Sequence, residues 1–301
     1  YENEDVQLWT GGPFPELRGQ IRAHNAAFER LILLYVCQLD IPLERYYCTA
    51  TQARANCLPG SLEDVGRAVK ASMKKDFRGG ALVRACCIPP FNTDLLPELF
   101  EYCKQDVRAM RAISQGLREL SAEELSDYHV NERINDRGVL VDVPLCRAAT
   151  RYSVAETNEI QTLFRDITGL TSVRSPKMRE WVYSHVGAEG QALMRVNDKV
   201  SIDKTVRANL LQLDLPDDVA DVIQCADDIW SSSVAKFSRL ANLADEEDAR
   251  LRGAFVFAGG SATGRAASYG AQVHNLPRKC AADPEHVRCA LVNGEPVKVD
   301  G

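Results

Sequence analysis

The sequence lacks the features that mark membrane-spanning, secreted and zinc-binding proteins. No uncharged apolar run reaches the about 18 residues that a membrane-crossing helix needs. The N-terminus is acidic and polar and has neither the basic start nor the apolar core of a signal peptide. The ten cysteines form no CxxC pair, and the five histidines do not cluster with them. We therefore expect a cytosolic protein whose cysteines are reduced and bind no metal.

Acidic residues are absent from one stretch of a chain that is acidic as a whole. The chain has 36 Lys and Arg against 42 Asp and Glu, which gives a formal net charge of −6. Between Leu251 and Cys280 there is no Asp or Glu, although four basic residues are present: Arg252, Arg265, Arg278 and Lys279. Such a stretch suits contact with a polyanion, and a chance run on a solvated face is the alternative.

Length and patterning predict two or three domains in the order α/β, mostly α, and the start of a β-rich part. The alternation of Asp5–Trp9 predicts a strand, and apolar residues recurring at helical spacing predict a helix over Phe28–Leu39 with these residues on one side. Ser61 is the predicted N-cap of a helix that extends to Met73, with Asp64 completing a capping box. A further helical segment is predicted over Asp94–Leu120.

The second half of the chain begins with a predicted helix capped by Ser121 and Glu124. A short β-like piece is expected at Gly138–Asp142, followed by a long helix-rich region from about Pro144 to Leu243. Within that region helices are predicted to begin at Pro176 and after Pro216. Leu251–Phe257 alternates as a strand, and the chain from Val273 onward is predicted to be irregular or strand.

One set of residues suits metal-assisted hydrolysis of phosphodiesters. It comprises the segment Asn25–Glu29 and the segment Tyr102–Asp106. Two carboxylates distant in sequence can meet at a metal pair, where divalent ions activate a water and stabilise the leaving oxygen. Tyr102 and Asp106 lie four residues apart and share a helix face, so the phenol can orient that water. A solvated helix face without a metal is the alternative interpretation of the same spacing.

A second set suits contact with nucleic acid. It comprises Thr263–Ser268 and the segment from His274 to Arg278. A Gly beside an Arg lets the backbone approach a ligand closely while the guanidinium stays free. Arg and Asn side chains can both donate hydrogen bonds to phosphates or to minor-groove acceptors. A basic β-hairpin turn without a ligand is the alternative.

These motifs resemble those of family A (DNA polymerase I-like) DNA polymerases of phage type. The family carries Thr-Gly-Arg-Leu-Ser-Ser and then Leu-Gln-Asn-Ile-Pro, and this chain has Thr263–Ser268 and then Val273–Pro277, with the same spacing from Arg to Asn. The proofreading motifs Asn-x-x-Phe/Tyr-Asp and Tyr-x-x-x-Asp resemble Asn25–Glu29 and Tyr102–Asp106. Asn131–Val139 is similar to the start of the family's polymerase domain. The resemblance runs in order from about residue 21 to residue 280.

The resemblance implies a multidomain fold. Residues 1–120 would form the α/β, RNase H-like 3′–5′ exonuclease domain without its first strand motif. Residues 121–250 would form the mostly α thumb and start of the polymerase domain, and residues 251–301 the beginning of the α+β palm. The implied function is DNA-directed DNA polymerisation with 3′–5′ proofreading in phage or bacterial DNA replication, in the cytoplasm of a bacterial host. The implied partners are primer–template DNA and deoxynucleoside triphosphates, with no membrane.

The resemblance also implies residue roles. Glu29 and Asp106 would bind Mg²⁺ at a two-metal site, with Glu29 standing where the family usually has Asp, and Tyr102 would position the attacking water. Arg265 would contact the primer terminus through the minor groove. The other implied DNA contacts are Lys236, Arg252, His274, Asn275, Arg278 and Lys279.

Other parts of both active sites are missing from the sequence. No Asp-x-Glu pair on an apolar strand precedes Asn25, since Glu2-Asn3-Glu4 lacks the strand, and the palm's Asp-Tyr-Ser-like and His-Asp-Glu segments do not occur. We therefore expect a fragment or split-gene product that is inactive alone and works with the remaining polymerase segment. The alternatives are a stand-alone 3′–5′ exonuclease and a non-catalytic DNA-binding remnant.

Overall fold

The protein divides into two compact units in a computed structural model that describes residues 5–70, 79–196, 199–229, 235–260, 262–276 and 281–296. The first unit comprises Tyr1–Val139 and Arg252–His274, and the second comprises Leu140–Leu251 and Asn275–Gly301. The chain thus leaves the first unit and returns to it for a short excursion before ending in the second. The predicted assignment of residues 1–120, 121–250 and 251–301 to exonuclease, thumb and palm stays a prediction.

The helices and strands follow one another in this order. Up to residue 137 they are β1 (Ile21–Ala23), α1 (Ala26–Tyr35), β2 (Tyr46–Cys48), α2 (Thr49–Ala55), α3 (Leu62–Ala68), α4 (Gly79–Cys87), α5 (Leu96–Gln115) and α6 (Ala122–Arg137). After residue 137 they are β3 (Val139–Leu140), α7 (Val143–Thr168), α8 (Pro176–His185), α9 (Ala188–Met194), β4 (Arg195–Val196), β5 (Lys199–Val200), α10 (Lys204–Leu210), α11 (Asp217–Ile229), α12 (Ala235–Leu243), β6 (Arg250–Leu251), β7 (Phe255–Gly260), β8 (Arg265–Ser268) and α13 (Pro284–Asn293).

In the first unit a small parallel sheet packs against helices. β1 pairs with β2 in parallel, with Ile21 opposite Tyr46. The side chains around this sheet form an apolar cluster that includes Ala26 of α1 and Tyr128 of α6. α6 begins as predicted, because Ser121 and Glu124 form a complete capping box. β7 and β8 form an antiparallel hairpin that belongs to the same unit.

The second unit is helical, as the sequence predicted for about Pro144 to Leu243. Its core is one apolar cluster centred on side chains that are fully buried, among them Phe164, Val182 and Leu210. The predicted helix starts are confirmed: Ser175 caps α8, and α11 begins at Asp217. None of the helices in the described part of the chain is long and apolar enough to cross a membrane.

The N-terminal predictions need three corrections. Asp5–Trp9 is not a strand, and Leu8 and Trp9 are exposed, so the alternation had no sheet to join. α1 covers Ala26–Tyr35 rather than Phe28–Leu39, and its predicted apolar side, with Phe28 and Tyr35, is exposed, whereas Ala26 and Leu33 contact the core. α3 ends at Ala68, and Lys70 at φ 53° has left the helical conformation.

The C-terminal predictions need two corrections. The strand over Leu251–Phe257 is interrupted at Gly253, whose φ of +65° breaks it into β6 and β7. The chain after Val273 is neither irregular throughout nor strand, because it contains α13. Asp283 caps this helix by accepting a hydrogen bond from His286 N at 3.0 Å, and Pro284 occupies its first turn.

Candidate active site and nucleic-acid interface

The segment Asn25–Glu29 forms the start of helix α1 and contains the half-buried carboxylate of Glu29. Asn25 adopts the left-handed conformation, φ 71°, and its carbonyl accepts a hydrogen bond from Phe28 N at 2.9 Å. Glu29 lies in the first turn of the helix, where the helix dipole favours a negative charge. Its Oε2 atom is buried and has no hydrogen-bond partner among the described residues. Burial raises the pKa of the Glu29 carboxyl, although a hydrogen bond with the backbone of Glu29 itself opposes the shift.

The segment Tyr102–Asp106 lies in the middle of the long helix α5. The half-buried Tyr102 ring packs so closely on Gly79 that a Cβ there would meet the ring at 2.2 Å. One turn further along, Asp106 is half-buried, and its Oδ1 has no hydrogen-bond partner among the described residues. Asp106 is therefore the second carboxylate of this unit with a buried oxygen that no described donor satisfies.

These two carboxylates match a divalent cation in chemistry but do not complete a metal site by themselves. Carboxylate oxygens are the ligands that Mg²⁺ prefers, and an unsatisfied buried carboxylate oxygen is costly without a cation or donor. Within the described ranges no group of three His, Cys, Asp or Glu residues is placed to hold a metal ion. Each of the two carboxylates has the chemistry of a ligand for a divalent cation, and the two-metal site remains a prediction. The described cysteines are free.

Arg265 stands at the start of β8 and is exposed at the end of a hairpin. We call β7 and β8 together the Arg265 hairpin. Gly264 makes its turn with φ +65°, a conformation that favours glycine, and Gly264 N donates to Gly260 O at 2.8 Å. Gly259 allows the strands to approach, because a Cβ there would lie 2.4 Å from the Ala267 Cβ. The guanidinium of Arg265 therefore projects from a tightly defined turn.

Side chains from two helices bind the outer edge of β7. Phe255 N donates to Asn135 Oδ1 at 2.9 Å, and Asn135 Nδ2 donates to Phe255 O at 2.8 Å. Arg54 Nε of α2 donates to Phe257 O at 3.1 Å. Sequence reasoning singled out neither Asn135 nor Arg54 as a contact of this hairpin, and only the resemblance of Asn131–Val139 pointed to this part of α6.

Beside the hairpin lies a groove of about 840 Å³ within the first unit. Its charged lining residues are Arg30, Arg54, Glu132, Asp136 and Arg252. Arg30 binds Asp136 at 2.5 Å and lies 3.9 Å from Glu132, and its Nε atom is buried with no partner among the described residues. Burial raises the pKa of Glu132 although Arg30 opposes the shift. The groove therefore mixes three arginines with two carboxylates rather than presenting a uniformly basic surface.

Other predicted DNA contacts already have partners in the protein. Lys236 Nζ in the second unit donates to the carbonyl oxygen of Asn275, whose side chain is exposed. In the first unit Arg252 Nε donates to Asp136 O at 3.0 Å. The His274 ring packs edge-on against Phe255, with the ring centroids 5.5 Å apart. An ammonium group has three donors, so Lys236 retains the capacity for a further contact.

The remaining predicted positions cannot be placed, and two of the placed ones lie in different units. Arg278 and Lys279 lie outside the described residues, as does Glu2-Asn3-Glu4. Arg265 belongs to the first unit and Asn275 to the second. The structure therefore describes each of these two side chains only within its own unit.

Comparison with known proteins relates the chain to a DNA polymerase of a phage. The chain is 30% identical over 292 residues to a DNA polymerase of Bacillus phage SP02. The match covers 90% of this chain and 43% of the phage protein, so the chain spans less than half the length of that relative. No protein-family model matches the chain. Over nearly its whole length this chain is thus related to a DNA polymerase, with the exposed Arg265 hairpin inside the region of similarity.

Proposed function

We propose that this chain is part of a family A DNA polymerase with a 3′–5′ proofreading exonuclease portion, acting on primer–template DNA in phage or bacterial replication. One observation carries the proposal. In a chain related to a DNA polymerase, an exposed arginine projects from a glycine turn of a hairpin in a stretch without acidic residues. The hairpin is thus suited to contact a duplex.

Arg265 has the chemistry to bind duplex DNA without reading its sequence. The minor groove presents purine N3 and pyrimidine O2 acceptors at every base pair. A guanidinium donates to such acceptors whichever base pair is present, and a mispair displaces them. Arg265 would therefore hold a correctly paired primer terminus more tightly than a mispaired one, which supports fidelity. His274, Asn275 and Lys236 would add contacts to the DNA backbone, as would Arg252 and the segment with Arg278 and Lys279.

For the exonuclease portion, Glu29 and Asp106 would hold Mg²⁺ together with ligands outside the described residues. When bound, the ions would supply an activated water and stabilise charge on the leaving oxygen. Tyr102 shares a helix face with Asp106, so its hydroxyl is suited to orient that water. The two unsatisfied buried oxygens on Glu29 and Asp106 support this assignment.

Affinity for a primer–template duplex tests the proposed role of Arg265. Arg265→Ala should weaken binding by ~1–3 kcal/mol, as expected for one specific groove contact. Fluorescence anisotropy with a labelled duplex measures the effect. The matched control is Arg67→Ala, which removes the same charge from an exposed helix position of the same unit. Equal affinities of the two variants would refute the assignment.

The same assay separates the alternatives. A polymerase portion should prefer a recessed primer–template over single-stranded DNA, and Arg265→Ala should reduce that preference. A stand-alone exonuclease should degrade single strands in Mg²⁺ and be indifferent to Arg265. A non-catalytic DNA-binding remnant should bind duplex DNA but degrade no strand in Mg²⁺, and substitution of Glu29 or Asp106 should leave its binding unchanged. Because the palm carboxylate segments are missing from the sequence, the 301-residue chain should bind without incorporating nucleotides.

A further inference from the structure

The Arg265 hairpin has one strand edge that no other described strand covers. β7 pairs only with β8 among the described strands, so its second edge has backbone groups in need of partners. A two-stranded hairpin is only marginally stable in water by itself. The groups that bind this second edge therefore help to determine the position and orientation of the hairpin within the unit.

Asn135 binds the uncovered edge with both ends of its amide. Its oxygen accepts from Phe255 N at 2.9 Å, and its nitrogen donates to Phe255 O at 2.8 Å. This pair of bonds imitates what a neighbouring strand would offer. Only one orientation of the amide satisfies both backbone groups, since the reverse would face nitrogen with N–H and oxygen with carbonyl.

The rest of the arrangement fixes Asn135 and the strand together. Asn135 is buried in α6, and its own carbonyl accepts from Gly253 N at 3.2 Å, just before β7 begins. Arg54 holds the same edge two residues further along, at Phe257 O. Because Asn135 is 9% exposed and uncharged, it has almost no surface with which to touch DNA itself.

The register of β7 matters for Arg265 because successive side chains of a strand point to opposite faces. Arg265 lies opposite Gly260 across the hairpin, and the pairing shifts register between Val256 and Gly260. A slip of one residue in β7 would move its partners relative to α6 and change where the turn presents the guanidinium. The two hydrogen bonds between Asn135 and Phe255 oppose such a slip at the base of the hairpin.

We propose that Asn135 is a positioning residue for Arg265. Its amide fixes the register and placement of the hairpin, and the hairpin presents the guanidinium to the end of a DNA duplex. The inference rests on the proposed function of Arg265. It assigns a role in DNA binding to a neutral, buried side chain of helix α6. This side chain acts through the hairpin and not through contact with DNA.

A double-mutant cycle on the 301-residue chain tests the inference. Arg265→Ala, Asn135→Ala and the double variant are compared by fluorescence anisotropy with a primer–template whose 3′ end is either paired or mispaired. Asn135→Ala should weaken binding of the paired duplex about two- to tenfold, the size of one or two lost hydrogen bonds. It should also reduce discrimination against the mispaired end. In the Arg265→Ala background the second substitution should cost nothing further, because Asn135 acts only through Arg265.

A matched control separates positioning from loss of stability. Gln52→Leu removes another buried amide of the same unit, whose hydrogen bonds go to Ser114, Leu117 and Arg118 and not to the hairpin. At equal folded fraction by circular dichroism, this variant should bind both duplexes as the unsubstituted chain does. If Asn135→Ala does not fold, Asn135→Asp enters the same cycle, since it keeps the acceptor for Phe255 N and loses the donor to Phe255 O.

The possible failures point to different faults. If Arg265→Ala weakens binding but the Asn135 variants do not, or if the two losses simply add, the positioning role is wrong and the proposed function stands. Weaker binding by Gln52→Leu to the same extent as by Asn135→Ala would also overturn the positioning role. If Arg265→Ala has no effect, the proposed role of Arg265 fails and the inference fails with it.

Discussion

The two units of the protein differ in what they bury. The second unit has one large apolar core, and Arg207 is its buried charged or polar residue in the described ranges. The first unit has small apolar clusters and many buried polar side chains. These are Thr49, Thr51, Gln52, Ser114, His129, Glu132 and Asn135. Apolar cores contribute stability without directional bonds, whereas buried polar groups must each find a partner and so fix geometry. The first unit, which holds every described candidate for catalysis, is therefore the one held by directional bonds.

The partners of those polar groups bear out this contrast. Gln52 binds the end of α5 through Ser114, and His129 binds the Tyr46 carbonyl at 2.9 Å. Asn135 binds β7 as described above. Each of these bonds joins segments distant in sequence. Loss of one should disturb a particular placement, whereas loss of an apolar side chain in the second unit should lower stability alone.

The largest effect is expected in the apolar core of the second unit. Phe164 is fully buried, so Phe164→Ala should lower the free energy of unfolding by about 3–5 kcal/mol through lost burial and a cavity. Urea denaturation measures this. The neighbouring Leu163 is 47% exposed, and Leu163→Ala is the control, with an expected change within about 0.5 kcal/mol. Similar losses in both variants would contradict the burial of Phe164 in one apolar core.

An intermediate effect is expected at the start of α6, the helix that carries Asn135. Ser121→Ala removes the side-chain acceptor for Glu124 N at 3.1 Å and should cost about 1 kcal/mol of stability. Ser126→Ala, at an exposed position inside the same helix, serves as the comparison and should be close to neutral. Thermal unfolding of the two variants side by side measures the difference, and equal melting temperatures would rule out a contribution from the cap.

The smallest effect, and the most informative about the catalytic proposal, is expected at Glu29. Its folded-state pKa is raised, so the folded protein holds a proton more tightly than the unfolded chain does. The charged form therefore disfavours folding above the unfolded pKa of 4.5, and the penalty disappears as pH falls below that value. Glu29→Gln should thus be more stable than the unsubstituted chain at pH 7 and lose that advantage below pH 4.5. The measurement is urea denaturation across this range.

Magnesium reverses the expectation for Glu29 if the carboxylate is a ligand. Mg²⁺ should stabilise the unsubstituted chain at pH 7, because a cation that binds only the folded state stabilises it. It should stabilise Glu29→Gln less, since an amide is a poorer ligand than a carboxylate. An identical response of both proteins to Mg²⁺ would remove Glu29 from the proposed metal site.

Local signals predicted the fold well where capping residues and periodicity agree. The starts of α6, α8 and α11 followed from Ser121, Ser175 and Pro216, since these residues satisfy or pre-organise the first turn. The sequence could not show which side of α1 is buried, because tertiary contacts at Ala26 decided it. It also missed α13, although Asp283 and Pro284 mark its start.

In the candidate site, too, local sequence patterns predicted some residues, whereas others could be found only from tertiary contacts. Arg265 was visible from sequence, because a Gly-Arg turn in an acid-free stretch is a local pattern. Asn135 was not, because its role depends on a partner 120 residues away in β7. The unsatisfied oxygens of Glu29 and Asp106 likewise became apparent only from the packing around them.

Hydrogen–deuterium exchange of the 301-residue chain, with and without a primer–template duplex, tests the central claim most directly. If the hairpin grips a duplex end, amides of Phe255–Gly260 and Arg265–Ser268 should exchange more slowly in the complex, and single-stranded DNA of the same length should protect them less. Protection of other segments by the duplex, with both hairpin strands exchanging at unchanged rates, would contradict it.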